Sequence, residues 1–153
     1  MTTPTPADGG SNFLYRCTSC RLTDLKQRSQ IDFEIEFYER ILNRDPHYVE
    51  VLMRLGELFA EKGWHRRTLQ VDQRLADLRP RDEFVIYNLA CSHAVLHHVD
   101  DAMRELRRAV DLGFSDYRQL MIDPDLASLR LTHEFVNFAR ELQQPTEAET
   151  RLV

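Results

Sequence analysis

Apolar residues recur along most of this chain at three- and four-residue steps, the spacing that places them on one face of an α-helix. Ile31, Ile35, Tyr38, Ile41 and Leu42 form the first stripe, which Asp45-Pro46 stops. Val51, Leu52, Leu55, Leu58 and Phe59 form a second, ended by Gly63, and Leu69, Leu75 and Leu78 carry a third helix up to Pro80. A fourth runs from Phe84 to about Leu96. Ala102, Leu106, Ala109 and Val110 mark a fifth, with Gly113 where a left-handed C-terminal cap belongs. The connections are short, so successive helices must fold back antiparallel, and the pattern predicts an all-α fold. Gly56 lies inside a helix, where glycine costs about 1 kcal/mol relative to alanine. A close approach of two helices would supply the reason.

Sliding the sequence by 34 residues superimposes Leu55 on Leu89, Gly56 on Ala90, Thr68 on Ala102, Leu75 on Ala109, and Pro46 on Pro80 and then Phe114. Small residues at recurring positions let helices approach, and large apolar ones fill the layer between pairs. This set of spaced positions resembles the tetratricopeptide repeat family. Leu52, Leu55, Gly56, Phe59, Gly63, Leu75 and Pro80 match one complete unit over 49–82. Ile86, Leu89, Ala90, Ala102 and Ala109 match a second over 83–114, and 29–48 matches only the second helix of an earlier unit. Thr68, Asp72, His93 and His97 depart from the pattern, where alanine, an aromatic, tyrosine and the turn glycine are usual. The resemblance implies a short right-handed α-solenoid, whose exposed apolar end needs a cap. Residues 115–143 suit that role. Ser115 can cap a short helix through Leu120, Asp123-Pro124 can start another turn, and Thr132 can cap a last helix bearing Phe135, Phe138, Ala139 and Leu142.

Outside these segments, residues 1–12 are rich in Thr, Pro, Gly and Asp and read as a flexible tail, as do the polar residues 144–153. Segment 13–28 carries Cys17-Thr-Ser-Cys20. Lys and Arg total 20 against 25 Asp and Glu, a net charge of −5, which argues against nucleic-acid binding and against a polybasic membrane patch. The Arg104, Arg107 and Arg108 cluster has Asp100, Asp101, Glu105 and Asp111 around it. No apolar run approaches a membrane span, the start lacks the features of a secretion signal, and three cysteines make no disulfide framework. A cytoplasmic location is the expectation.

In a resembling array, the first helix of each pair lines the concave face. The resemblance therefore implies exposed, partner-facing residues at Glu50, Met53, Arg54, Glu57 and Glu61, and at Phe84, Tyr87, Asn88, Cys91 and Val95 one unit later. Phe84 and Tyr87 would anchor a peptide or partner helix, and Asn88 would bond its backbone. The competing expectation is that the chain's own ends cover them. Some family members clamp a C-terminal carboxylate with Lys and Asn. Here Met53 and Glu57 stand in two of those places, and only Asn88 fits.

Cys17 and Cys20 have the spacing of one zinc knuckle, yet a structural zinc needs four ligands and no second pair exists. Cys91 with a histidine, or the same knuckle from a second chain in a homodimer, could complete the set; a redox pair or a plain structural role are the alternatives. No other cofactor is indicated. His93 and His97 share a helical face, but Ala94 stands where a zinc protease needs its glutamate and no third ligand is evident. Glu34 with Glu36, and Glu57 with Glu61, read as solvated helix carboxylates, Glu36 pairing with Arg40. No phosphate loop or nucleophile elbow appears. The leading reading is a protein-binding adaptor, not an enzyme; a zinc-linked homodimer stands second and an enzyme accessory subunit third.

Overall fold

The structure is a computed structural model that describes residues 29–143. It contains α1 (Gln30–Leu42), α2 (Val49–Glu61), α3 (His65–Leu78), α4 (Glu83–Val95), α5 (Val99–Leu112) and α6 (Tyr117–Ile122). Two single 3-10 turns (Pro124–Leu126 and Leu129–Leu131) and α7 (His133–Gln143) complete it, with no strand among the described residues. Each helix from α1 to α5 packs on the next, so α2 with α3 and α4 with α5 are stacked hairpins. Segment 13–28, with Cys17 and Cys20, and the two tails lie outside the described residues.

Local chemistry sets the boundaries. Ser29 Oγ accepts the Asp32 amide at 3.2 Å to open α1, and the Asp82 carboxylate accepts the Phe84 and Val85 amides to open α4. Both hairpin turns need a left-handed residue. Gly63 supplies it at φ 70° and His97, one period later, at φ 61°. Gly113 ends α5 in the same manner, at φ 119°.

The core is continuous. Leu52, Leu55, Leu58 and Phe59 of α2 meet Val71 and Leu75 of α3, and Ile86, Leu89 and Ala90 of α4 meet Ala102, Leu106 and Ala109 of α5. A Cβ built on Gly56 would sit 3.4 Å from Val71 Cγ1, which is the close approach its place in the helix implies. Ala90, its equivalent, is fully buried.

Successive units are also strapped by arginine. Arg74 donates to the Pro46 carbonyl and, 34 residues on, Arg108 donates to the Pro80 carbonyl at 2.8 Å. Arg40 holds the same place in α1 and pairs with Glu36, as the i,i+4 spacing implies. The basic cluster of α5 is neutralised: Arg104 pairs with Asp101, Arg108 with Glu105 and Arg107 with Glu141 of α7.

In the closing segment the N-cap of α6 is Asp116, not Ser115, its carboxylate accepting the Gln119 amide at 2.9 Å, and the helix runs on to Ile122. Aspartate caps with a charge at the positive helix end, which a serine hydroxyl cannot offer. Asp123 opens the 3-10 turn that begins at Pro124, and Thr132 Oγ1 accepts the Phe135 amide at the start of α7. Phe135 and Phe138 are buried, with Ala139 and Leu142 packed beside them.

Candidate functional site

A cleft of about 270 Å³ opens between the first helices of the two units. Met53, Gly56, Glu57 and Ala60 of α2 form one wall, and Val85, Asn88, Cys91, Ser92 and Val95 of α4 form the other. Thr68, Asp72 and Leu75 of α3 make the floor, and His65, Asp123 and Asp125 stand at the edges. This is where hairpin stacking leaves a concavity, because α2 and α4 both pack on α3, which lies between them in sequence.

The floor carries an unusual group. Asp72 is buried and accepts a hydrogen bond from the Ser92 hydroxyl. Burial pushes its carboxyl up from 3.8 to about 6, against the opposing pull of that hydroxyl. Burial likewise raises the Cys91 thiol, with the Asp123 charge adding to it. Such a thiol is a poor nucleophile. Asp125 is raised by burial and by Asp123, with His65 drawing it back. Four carboxylates, those of Glu57, Asp72, Asp123 and Asp125, thus border the cleft against one imidazole, His65.

Of the expected partner-facing residues, Met53 is 43% exposed and lines the cleft, as do exposed Glu57 and Asn88. The Asn88 side-chain amide has no hydrogen-bond partner among the described residues. Arg54 is exposed but committed, bonding Glu57 at 2.9 Å and Glu34 at 3.0 Å. Phe84 is 62% exposed and lies outside the cleft, edge-on to Phe114.

Tyr87 and Cys91 correct the expectation of exposure, at 5% and 7%. The closing segment covers that part of the wall. Phe114 stacks on Tyr87 at 4.3 Å between ring centres, and the Tyr87 hydroxyl donates to buried Asp123 at 2.8 Å. Gln119 Nε2 and the Asp125 amide also donate to Asp123, at 3.0 and 2.9 Å. The expected self-coverage therefore holds at Tyr87, while Phe84 and Asn88 of the same helix and Met53 and Glu57 of the first unit stay exposed.

Sequence reasoning missed Asp72 and Ser92 as a pair, and Asp123 and Asp125 as part of the site. Asp72 did carry a signal, a carboxylate where the repeat places an aromatic. The histidines are also rearranged. His97 takes the left-handed turn, so His93 meets His98 instead, Nδ1 to Nδ1 at 3.4 Å. Burial pushes the His93 imidazole down.

Stacked antiparallel helix pairs on a 34-residue period, a shared groove and a helical cap define a tetratricopeptide-repeat-like fold. The crystal structure of MamA, a protein of that fold, matches 82% of this chain and 70% of its own with a TM-score of 0.59, at 19% identity. A chloroplastic protein of Arabidopsis thaliana is 28% identical over 86 residues, or 54% of this chain. The chain spans about a quarter of that protein's length, since the match covers 26% of it. No family model matches the chain. Among the described residues no helix is long and apolar enough to cross a membrane.

Proposed function

We propose that this chain is a protein-interaction module, and that the cleft between α2 and α4 takes a polypeptide segment carrying a basic side chain. The observation that carries the reading is the open cleft itself: an apolar wall at Met53 and Val85, a side-chain amide at Asn88 without a partner among the described residues, and a carboxylate border. Asn88 can bond a peptide backbone from both its donor and its acceptor. Asp123 and Asp125, with Glu57 whose charge is shared with Arg54, favour a lysine or arginine, and the same charges disfavour a C-terminal carboxylate, in keeping with Met53 and Glu57 standing where a carboxylate clamp needs Lys and Asn. Cys91, the thiol within the cleft, is held in its unreactive form, which supports binding rather than catalysis.

Peptide display selection against the full chain tests this. Selected peptides should be rich in Lys or Arg, and Asn88→Ala and Glu57→Lys should each weaken them about tenfold or more, a loss of about 1.4 kcal/mol. Phe33→Ala, at an exposed site on α1 outside the cleft, should leave affinity unchanged. Selected peptides that bind both cleft variants as well as the wild type would remove the reading.

A further inference from the structure

At the turn between α4 and α5, apart from the cleft, three ligand-bearing side chains converge. His93 comes from the last turn of α4, His98 is the residue before α5, and Asp101 lies in the first turn of α5. One ligand atom from each lies within 4.8 Å of the other two. The Nδ1 atoms of His93 and His98 face each other at 3.4 Å. That is long for a hydrogen bond, which prefers about 2.7–3.2 Å. It does match the edge of a tetrahedral zinc site, because two imidazole nitrogens about 2.05 Å from one ion at the tetrahedral angle stand about 3.3–3.4 Å apart.

We infer that His93, His98 and Asp101 form a binding site for a divalent late first-row metal ion, zinc foremost. Two imidazoles and a carboxylate are a borderline donor set suited to zinc and unsuited to calcium or magnesium, which take oxygen ligands. Three protein ligands leave a fourth position open to water or to a donor from a partner. The backbone favours the arrangement: left-handed His97 turns the chain so that His98 comes back over His93. His98 makes no capping hydrogen bond with its side chain, so its imidazole is free of that duty. One group competes. Arg104 holds Asp101 at 2.7 Å and also reaches Glu105 at 3.2 Å, so the ion displaces the guanidinium or takes the other carboxylate oxygen.

The test uses the full chain with Cys17→Ser and Cys20→Ser, stripped of metal by a chelator. Cobalt(II) is titrated as the coloured probe and zinc as its competitor. One equivalent of cobalt should bind saturably, with the visible spectrum of a four-coordinate nitrogen and oxygen site and no thiolate charge-transfer band, and zinc should displace it. His98→Ala and Asp101→Asn should each weaken binding by about tenfold or more, about 1.4 kcal/mol, with far-ultraviolet circular dichroism unchanged. Arg104→Ala should tighten it by freeing Asp101, and most of that gain should disappear when Asp101→Asn is added. Absence of saturable binding, or binding that persists undiminished in His98→Ala, overturns the site. His98, Asp101 and Arg104 do not line the cleft, so this outcome is separate from that of peptide binding.

Discussion

Asp72→Asn isolates the electrostatic cost of the cleft floor. In the folded protein the Asp72 carboxyl is raised by burial to about 6, so folding favours its protonated form. The contribution to stability is therefore full below the unfolded value near 3.8 and disappears as the pH climbs through about 6. Above that, the native state holds an anion in a place that disfavours it. Raising the carboxyl from 3.8 to about 6 is worth about 3 kcal/mol at 1.36 kcal/mol per pH unit. Asparagine does not titrate, nearly matches the shape, and its carbonyl can accept the Ser92 hydroxyl in place of the carboxylate. Urea denaturation of wild type and variant at several pH values measures the difference, and taking that difference cancels the titration of Asp32, Glu34 and Asp101, whose carboxyls are lowered by their partners. The variant should match the wild type at about pH 3 and exceed it by about 3 kcal/mol near pH 8. A gain independent of pH, or none at pH 8, would refute the argument.

Tyr87→Phe removes the hydroxyl that meets buried Asp123 and should cost about 1–2 kcal/mol in denaturant titration, since a buried acceptor loses one of its donors. Arg74→Ala removes one strap and should lower stability by about 1 kcal/mol in the same assay, and Arg108→Ala should cost more, because Arg108 also pairs with buried Glu105. His97→Gly relieves a left-handed conformation that costs a side-chain-bearing residue about 1–2 kcal/mol, and a higher melting temperature should follow. Cobalt binding at His93, His98 and Asp101 should survive that last change, because His97 supplies no ligand.

The helices were legible wherever the stripe was strong. Ile35 and Leu42, Leu52 and Phe59, and Leu106 and Ala109 are buried as their three- and four-residue spacing implies. Gly56 and Ala90 could be read because a small residue inside a helix has few explanations other than close packing. Tyr87 and Cys91 could not, because what covers them lies far along the chain, Asp123 being 36 residues beyond Tyr87. Helical spacing says which face a residue is on and nothing about what later docks there. His93 with His97 failed for a local reason: the i,i+4 relation holds only while the helix lasts, and His97 stands where the repeat ends it. The arginine straps were available, since Arg40, Arg74 and Arg108 follow the 34-residue period, each six residues before Pro46, Pro80 or Phe114. Periodicity sought among apolar residues alone passes over them.

Phe114 stands where two earlier periods have proline, and it turns inward onto Tyr87. Nearest-neighbour stacking has no inherent length, and a bare terminal face invites the next copy to add head to tail, the geometry that produces fibres. With the Phe114 ring stacked on Tyr87 and the Asp123 carboxylate bonded to its hydroxyl, this part of the second hairpin is occupied by the chain itself and offers no bare apolar surface there to another hairpin.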